Sequence, residues 1–481
     1  MSSARAGGRT VVAGSADARL RPWFGTWLLC SAFFVDVMGS TSVFTAAPAI
    51  GRGLGLSAVG LQWSVIAATL PAGALLLVGG RLADRFGRRR IFMTGLGVLV
   101  VASGVCGTAP SAAVLIGARV GQGVAGALLI PSALALVIAM FPDEADRNKA
   151  LATWSAIGGI GATAGLLLGG LVTTGLGWQW VFLINVPVGL AMLALCPLLL
   201  DETSGRAEPG TIDVAGIATM TAGLALLIYG TSQAPSLGWD DRRTLGSVVA
   251  GGLLLLAFVR VERTSVDPIV PPRLLGSRGR AAGSATLFVA GMCVDGLLFT
   301  LTLYTQRAEG YSALRFGAMT AVMTSCSVAA AWVAQRAIAR VGTRLVSATG
   351  LALLCATCLV FAGAVTSAST GLLVAGMVVF GFGMGCAFVA GSVASLEGVA
   401  EEDAGIAAAL QNIAFGTGTA LGVAALATIA AASAGSPAAG SRAAFLGGVA
   451  IAALGLAATV ALTARRPSAA AGRVSRATSH L

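Results

Sequence analysis

Histidine is nearly missing from this chain: the single imidazole is His480, one residue from the C-terminus of 481. That scarcity removes Ser-His-Asp triads, Cys-His pairs and His-ligated metal centres from consideration. Lysine is as rare. Lys149 lies in Arg147-Asn148-Lys149-Ala150 with no G-x-x-x-x-G-K-[ST] around it. No loop of that kind is present to cradle nucleotide phosphates, so a self-contained ATP-driven pump is excluded. Charge of either sign is also scarce. Charged residues make up 11% of the chain and hydrophobic ones 56%, whereas soluble domains carry about 25% charged residues. A soluble fold of this length has nowhere to hide so much apolar surface, and lipid must be the solvent for much of it. No enzyme, no metal and no cofactor is expected.

The eight cysteines all fall inside apolar runs. Cys355 and Cys358 form a C-x-x-C within LALLCATCLVF, which reads as small residues packing on a buried helix rather than as redox or metal chemistry. A net charge of +11 would suggest nucleic acid in a soluble protein. Here the basic residues sit in short loops between apolar runs, so membrane topology explains them and no nucleic-acid partner is expected.

Apolar stretches of spanning length recur along the chain. The predicted spans are 24–47, 59–80, 91–109, 112–138, 150–174, 180–200, 214–233, 245–261, 281–305, 316–338, 343–365, 370–395, 405–432 and 443–464. That makes fourteen, with twelve as the alternative because 214–233 and 245–261 are the weakest pair. Residues 1–22 are polar, and the run after them is long enough to span without a clear cleavage site, so an uncleaved first helix is expected. With both termini inside, Lys and Arg favour the inner segments about four to one. The acidic loop Glu401-Glu402-Asp403 is assigned inside although it carries no basic residue. The expected division is a cytoplasmic tail (1–23), a six-helix bundle (24–200), a linker with two extra helices (201–280), a second six-helix bundle (281–464) and a cytoplasmic tail (465–481).

Between the second and third spans runs Gly80-Arg81-Leu82-Ala83-Asp84-Arg85-Phe86-Gly87-Arg88-Arg89-Arg90. One carboxylate stands among five guanidinium groups in a tight turn at Gly87. Asp84 can cap a neighbouring helix or pair with Arg across a closing interface; a plain basic anchor on the inner face is the simpler reading. Three charges fall deep within spans: Asp36, Arg119 and Asp295. Each costs about 2.5–3.5 kcal/mol at the bilayer centre by insertion scales, so such groups usually face a cavity and work there. Arg119 can pair with Asp36. Carboxylates in general hold protons more tightly when desolvated and less tightly beside Arg, so a cavity that opens to alternate sides would bind and release a proton. Asp295 lies eleven residues before Gln306, much as Asp36 lies twelve before Pro48, which places the two acids at similar depths of corresponding helices around one central cavity. Asp295 is thus a second candidate proton or cation site, with a solvated cavity-edge acid as the alternative. The aromatic residues Phe44, Trp154, Phe299 and Tyr304 are candidates for the substrate cavity, as is Gln306. Glycine runs such as Gly158-Gly159-Ile160-Gly161 allow close helix approach.

The 80–90 run resembles the loop 2–3 signature of the major facilitator superfamily. Leu115 to Gly123, with its buried Arg119, is similar to the helix 4 motif of that family. Gly177-Trp178-Gln179-Trp180-Val181-Phe182-Leu183-Ile184-Asn185-Val186-Pro187 and Leu303-Tyr304-Thr305-Gln306 through Gly310-Tyr311-Ser312 resemble stretches of its fourteen-helix drug:proton antiporters. The resemblance implies an all-α membrane protein with two six-helix bundles and two additional helices. It implies a monomer in the plasma membrane that exchanges protons for small amphipathic compounds, as in multidrug efflux or antibiotic self-resistance. Gly80, Asp84, Arg85, Gly87, Arg88 and Arg89 would be the conformational gate. Gly161, Gly165, Gly169 and Gly170 would be the antiporter-type helix, with Leu166 where that motif has Pro. In the helix 1 pattern Asp36 is kept, but Gly39 and Phe44 stand where Asp and Asn are usual. An importer or facilitator of a small solute is the alternative in the same class. A channel or a non-transporting receptor is the alternative outside it, though neither a pore motif nor a sizeable soluble module is visible.

Overall fold

The computed structural model describes residues 14–202, 213–238, 240–265, 277–399, 404–433 and 436–464. Most of both expected tails, including His480, lies outside the described residues, as do parts of both long linkers and the acidic loop Glu401-Glu402-Asp403. Among the described residues the regular structure is all helical. The elements are α1 (Gly14–Gly53), α2 (Ala58–Ala74), α3 (Leu76–Phe86), α4 (Arg88–Gly107), α5 (Ala112–Met140), α6 (Glu144–Gly175), α7 (Trp180–Leu183) and α8 (Asn185–Leu199). They continue with α9 (Val214–Leu237), α10 (Arg242–Thr264), α11 (Arg278–Leu303), a π-helical turn (Tyr304–Ala308), α12 (Ala313–Ser367), α13 (Thr370–Leu396), α14 (Ala404–Ala432) and α15 (Pro437–Ala464).

Eleven of the described helical segments are long and apolar enough to cross a bilayer, and α2 with α3, bent by 51°, makes a twelfth. Polar residues mark where they begin. Asp143 caps α6, accepting from the Ala145 and Asp146 amides at 3.1 and 3.2 Å, with Glu144 and Asp146 favourably placed in the first turn. Ser111, Ser277 and Ser369 cap α5, α11 and α13 in the same way. α12 is 55 residues long, about 80 Å at 1.5 Å per residue, more than twice an apolar bilayer core of about 30 Å. It is broken at Gly342, whose φ of 82° no helix contains. On α10, Leu245, Val249, Leu253 and Leu256 recur on one exposed face, which suits lipid as the surrounding solvent.

The chain resolves into two compact units. One comprises Met1–Thr221 with Tyr311–Ala321, the other Ala222–Gly310 with Val322–Leu481. In the first, α1 packs along α6 and α4 along α5, and side chains of α1, α4, α5, α6 and α8 form a shared apolar core that includes Leu29, Phe92, Leu129, Leu136 and Cys196. In the second, α11 is the central helix and packs on α13, α14 and α15. All eight cysteines are free thiols.

Candidate functional site

α1 brings Asp36 into the first unit's interior, and Gly126 of α5 gives its carboxylate a seat. A Cβ added at Gly126 would lie 3.2 Å from Asp36 Oδ1. The carboxylate faces two small cavities. One is a narrow apolar cleft lined by Phe33, Phe92, Leu129 and Trp154 among others. The other is a narrow polar cleft that reaches Gly39, Ser40, Arg119, Gln122 and Asn185. Trp154 stacks flat on Phe33, ring centroids 4.3 Å apart and planes within 4°, so one wall of the apolar cavity is a rigid aromatic pair.

Arg119, 2% exposed, shares the polar cavity with Asp36 but forms no ion pair with it. Its guanidinium is answered elsewhere. Nε donates to Ser64 O at 3.0 Å, Nη2 to Val65 O at 3.3 Å and Nη1 to Gln122 Oε1 at 2.8 Å. Gln122 Nε2 in turn donates to Ser103 Oγ at 2.9 Å. The direct pairing expected from the sequence is therefore replaced by a relay of neutral acceptors. A peptide carbonyl has a second lone pair after its helical bond, and that is what α2 offers here. Gln122 was findable from sequence as a polar residue three positions after Arg119 on the same helical face.

The glycines of α6 face α1. A Cβ at Gly161 would meet Phe34 O at 3.2 Å, one at Gly165 would lie 2.5 Å from Met38 O, and one at Gly169 would lie 2.6 Å from Ser42 Cβ. Their four-residue spacing sets them on one face, so the backbone of α6 lies directly on the helix that carries Asp36. Gly170 turns instead towards Ala313 O, and Leu166, beside it, is 2% exposed.

The charged turn between α3 and α4 is built around Gly87, at φ 103°. Arg88 Nη2 and Nε donate to Asp84 Oδ1 at 3.0 and 3.1 Å, and Arg88 Nη1 reaches Ala135 O at 3.3 Å. Arg85 is exposed, with its guanidinium 5.6 Å from the Phe86 ring centre. Gly80 sits against Pro131. A residue not singled out in the sequence completes the turn: Glu202, just past the end of α8. Its carboxylate accepts from the Arg89 amide at 3.1 Å, while Arg89 Nη1 donates to Leu200 O at 3.0 Å. Its only signal was its place in the acidic pair Asp201-Glu202 that follows the last apolar residue of a span, Leu200.

In the second unit Asp295 lies on α11, which packs along α14, where the Thr419 hydroxyl donates to Gly416 O at 2.8 Å. Those helices also meet backbone to backbone at Gly291 and Gly422. Phe299 and Tyr304 are 1% exposed, and Tyr304 Oη donates to Glu309 Oε1 at 2.9 Å. Gln306 is buried within the π turn. Phe44 is buried on α1, two turns beyond Asp36. Trp154 alone of the five lines the cavities at Asp36.

A sequence model of the Major Facilitator Superfamily matches residues 29–337. The puromycin resistance protein pur8 of Streptomyces alboniger is 36% identical over 412 residues, 84% of this chain and 80% of that protein. The tetracenomycin C resistance and export protein of Streptomyces glaucescens is 31% identical over 85% of this chain and 76% of its own length. The drug efflux pump JefA of Mycobacterium tuberculosis is 34% identical over 81% of this chain and 76% of its own length. Among solved structures, a bacterial homologue of the human lysosomal transporter Spinster, in an inward-facing conformation, superposes with a TM-score of 0.67 at 15% identity. That match covers 92% of this chain and 97% of that one.

Proposed function

The chain belongs to the major facilitator superfamily, and from that premise we propose that it is a proton-coupled exporter of small amphipathic compounds working by alternating access. It is a multi-pass membrane transporter and not an enzyme. Export of antibiotics or drugs is the reading favoured by relatives named for puromycin resistance, tetracenomycin export and drug efflux.

The observation that carries proton coupling is Asp36. It is a carboxylate inside an apolar span, facing a polar and an apolar cavity, without an ion pair among the described residues. An acid so placed is costly to keep unless it works. Arg119 is held by Ser64, Val65 and Gln122, which leaves the Asp36 carboxylate to exchange protons with water while a fixed positive charge stands near it. Asp295 is the second proton site. The turn with Gly80, Asp84, Arg85, Gly87, Arg88 and Arg89 acts as the conformational gate, and the glycine face of α6 is the antiporter-type helix. Trp154 belongs to the substrate cavity, with Phe44, Phe299, Tyr304 and Gln306.

Fourteen spans follow if α9 crosses and α12 is read as two helices divided at Gly342. The domain limits are then 24–200 and 281–464 for the two six-helix bundles, with the extra pair between them. Both termini are cytoplasmic, the location is the plasma membrane and the working unit is a monomer.

The test uses proteoliposomes that hold the protein and a pH-sensitive dye. A proton gradient is imposed and lipophilic drugs are added, puromycin first. Drug-dependent proton movement is expected in the wild type and is lost in Asp36→Asn. Loss in Asp295→Asn as well supports the second site. Drug movement without proton flux in the wild type, unchanged in both variants, overturns proton coupling in favour of a facilitator.

A further inference from the structure

Arg119 and Gln122 find their partners inside the protein, but one amide in the same cavity does not. Asn185, the first residue of α8, is 1% exposed, and neither its Nδ2 nor its Oδ1 has a hydrogen-bond partner among the described residues. Leaving a buried polar atom unanswered is costly, and native structures rarely do so without a ligand or water to fill the role. The amide lines the cavity that Asp36 lines. Gly39, three residues along α1 from Asp36, is what admits it: a Cβ at Gly39 would lie 3.2 Å from Asn185 Nδ2.

The chemistry selects the occupant. A carboxamide offers donors and an acceptor, while a carboxyl group offers acceptors and, when protonated, one donor. A single group that both accepts and donates answers the two together. A bare metal cation does not suit the place, because the Arg119 guanidinium lines the same cavity. Arg119, from α5, is the charged group that faces Asp36. The other helices packed there bring no titratable side chain to either cavity: α4 contributes Phe92 and Leu99, α6 Trp154 and α8 Asn185.

We propose that Asn185 and Asp36 form a hydrogen-bonding site for one neutral polar group, either a water molecule or a hydroxyl or amide of the exported compound, and that Gly39 keeps the site open. The inference rests on Asp36 as the proton site and assigns to Asn185 the role of a positioning residue for that proton.

The experiment is infrared difference spectroscopy on the full chain in lipid nanodiscs while pH is stepped. The carboxylic C=O band that disappears in Asp36→Asn belongs to Asp36. In Asn185→Leu that band is expected to move to higher frequency, as a lost hydrogen bond requires, and its titration midpoint is expected to shift by threefold or more in proton affinity. Asn185→Gln, which keeps the amide, restores both. Gly39→Ala, which crowds the amide, reproduces the leucine variant and carries the test if that variant does not fold. A band that also moves on adding puromycin to wild type, but not to Asn185→Leu, assigns the bridging group to the exported compound. A band indifferent to puromycin yet moved by Asn185→Leu assigns it to water. An unchanged band and midpoint in folded Asn185→Leu and Gly39→Ala overturn the inference alone. A band that survives in Asp36→Asn overturns the proton-site reading with it.

Discussion

Arg89 and Glu202 cap each other's helices in opposite directions. The Glu202 carboxylate receives the amide of Arg89 near the start of α4, and the Arg89 guanidinium donates to the Leu200 carbonyl where α8 has ended. Each charge thereby meets the end of the helix dipole that suits it. A second guanidinium, that of Arg90, stands 3.8 Å from the same carboxylate. Two spans more than a hundred residues apart are tied at one face by this exchange.

Glu202→Ala should therefore lower stability by about 1 kcal/mol, the usual worth of a lost cap. Gly87→Ala should cost more, because it combines a positive φ with a Cβ 2.6 Å from Glu202 Oε1. The double variant should cost less than the two single effects combined, since removing the carboxylate relieves the clash but not the backbone strain. Thermal unfolding in detergent, followed by tryptophan fluorescence, checks all three.

Arg119→Lys keeps the charge but cannot reach three separate acceptors with one ammonium group. It should abolish drug resistance in a susceptible host and lower the yield of folded protein in membranes. Gln122→Leu, which removes one acceptor and leaves Ser103 without its donor, should cost about 1–3 kcal/mol. Lysine should prove the more damaging change in both thermal unfolding and growth on drug plates.

Gly165 and Gly159 are glycines of α6 with opposite surroundings. Gly165→Val puts atoms into the backbone of α1 at Met38 and should cost about 1–3 kcal/mol through overpacking. Gly159 has nothing within 4 Å of its would-be Cβ. Gly159→Ala should stabilise by up to about 1 kcal/mol through helix propensity. Opposite signs in the two unfolding midpoints are the expected result.

Trp154→Ala removes a buried ring and should cost about 3–5 kcal/mol. Trp154→Phe, which keeps a ring against Phe33, should lose less than half of that. Equal losses in the two variants, read from the same unfolding scan, would show that the stacked pair adds nothing.

The spans were legible because each is a long apolar run with polar residues at its ends. Even the break in α12 could be read, since Arg336, Arg340 and Arg344 interrupt the apolar character around Gly342. The bend at Leu75 could not. Pro71 lies in an apolar helix where proline is tolerated, and the turn there depends on how α3 rests against α5. The site was legible in its charges and not in their partners. Asp36 and Arg119 stand out as ions among apolar residues, and opposite signs suggest a pair. The acceptors that hold Arg119 are backbone carbonyls of another helix, which no sequence pattern marks. Asn185 reads as one letter of a motif, and its unanswered amide follows only from which side chains come near it. Glu202 needed a contact across more than a hundred residues of chain.

The turn at Gly87 has a consequence for heredity. A glycine codon, GGN, changes by one base to alanine, valine, serine, cysteine, arginine, aspartate, glutamate or tryptophan, or to stop. Every one of those amino acids carries a Cβ, which the positive φ at this position disfavours and which the Glu202 carboxylate must move aside to admit. The position therefore has no harmless neighbour one mutation away. A population under drug selection can explore the cavity walls codon by codon, but it meets a dead end at this turn, which should appear as a cold spot in a saturation mutagenesis map.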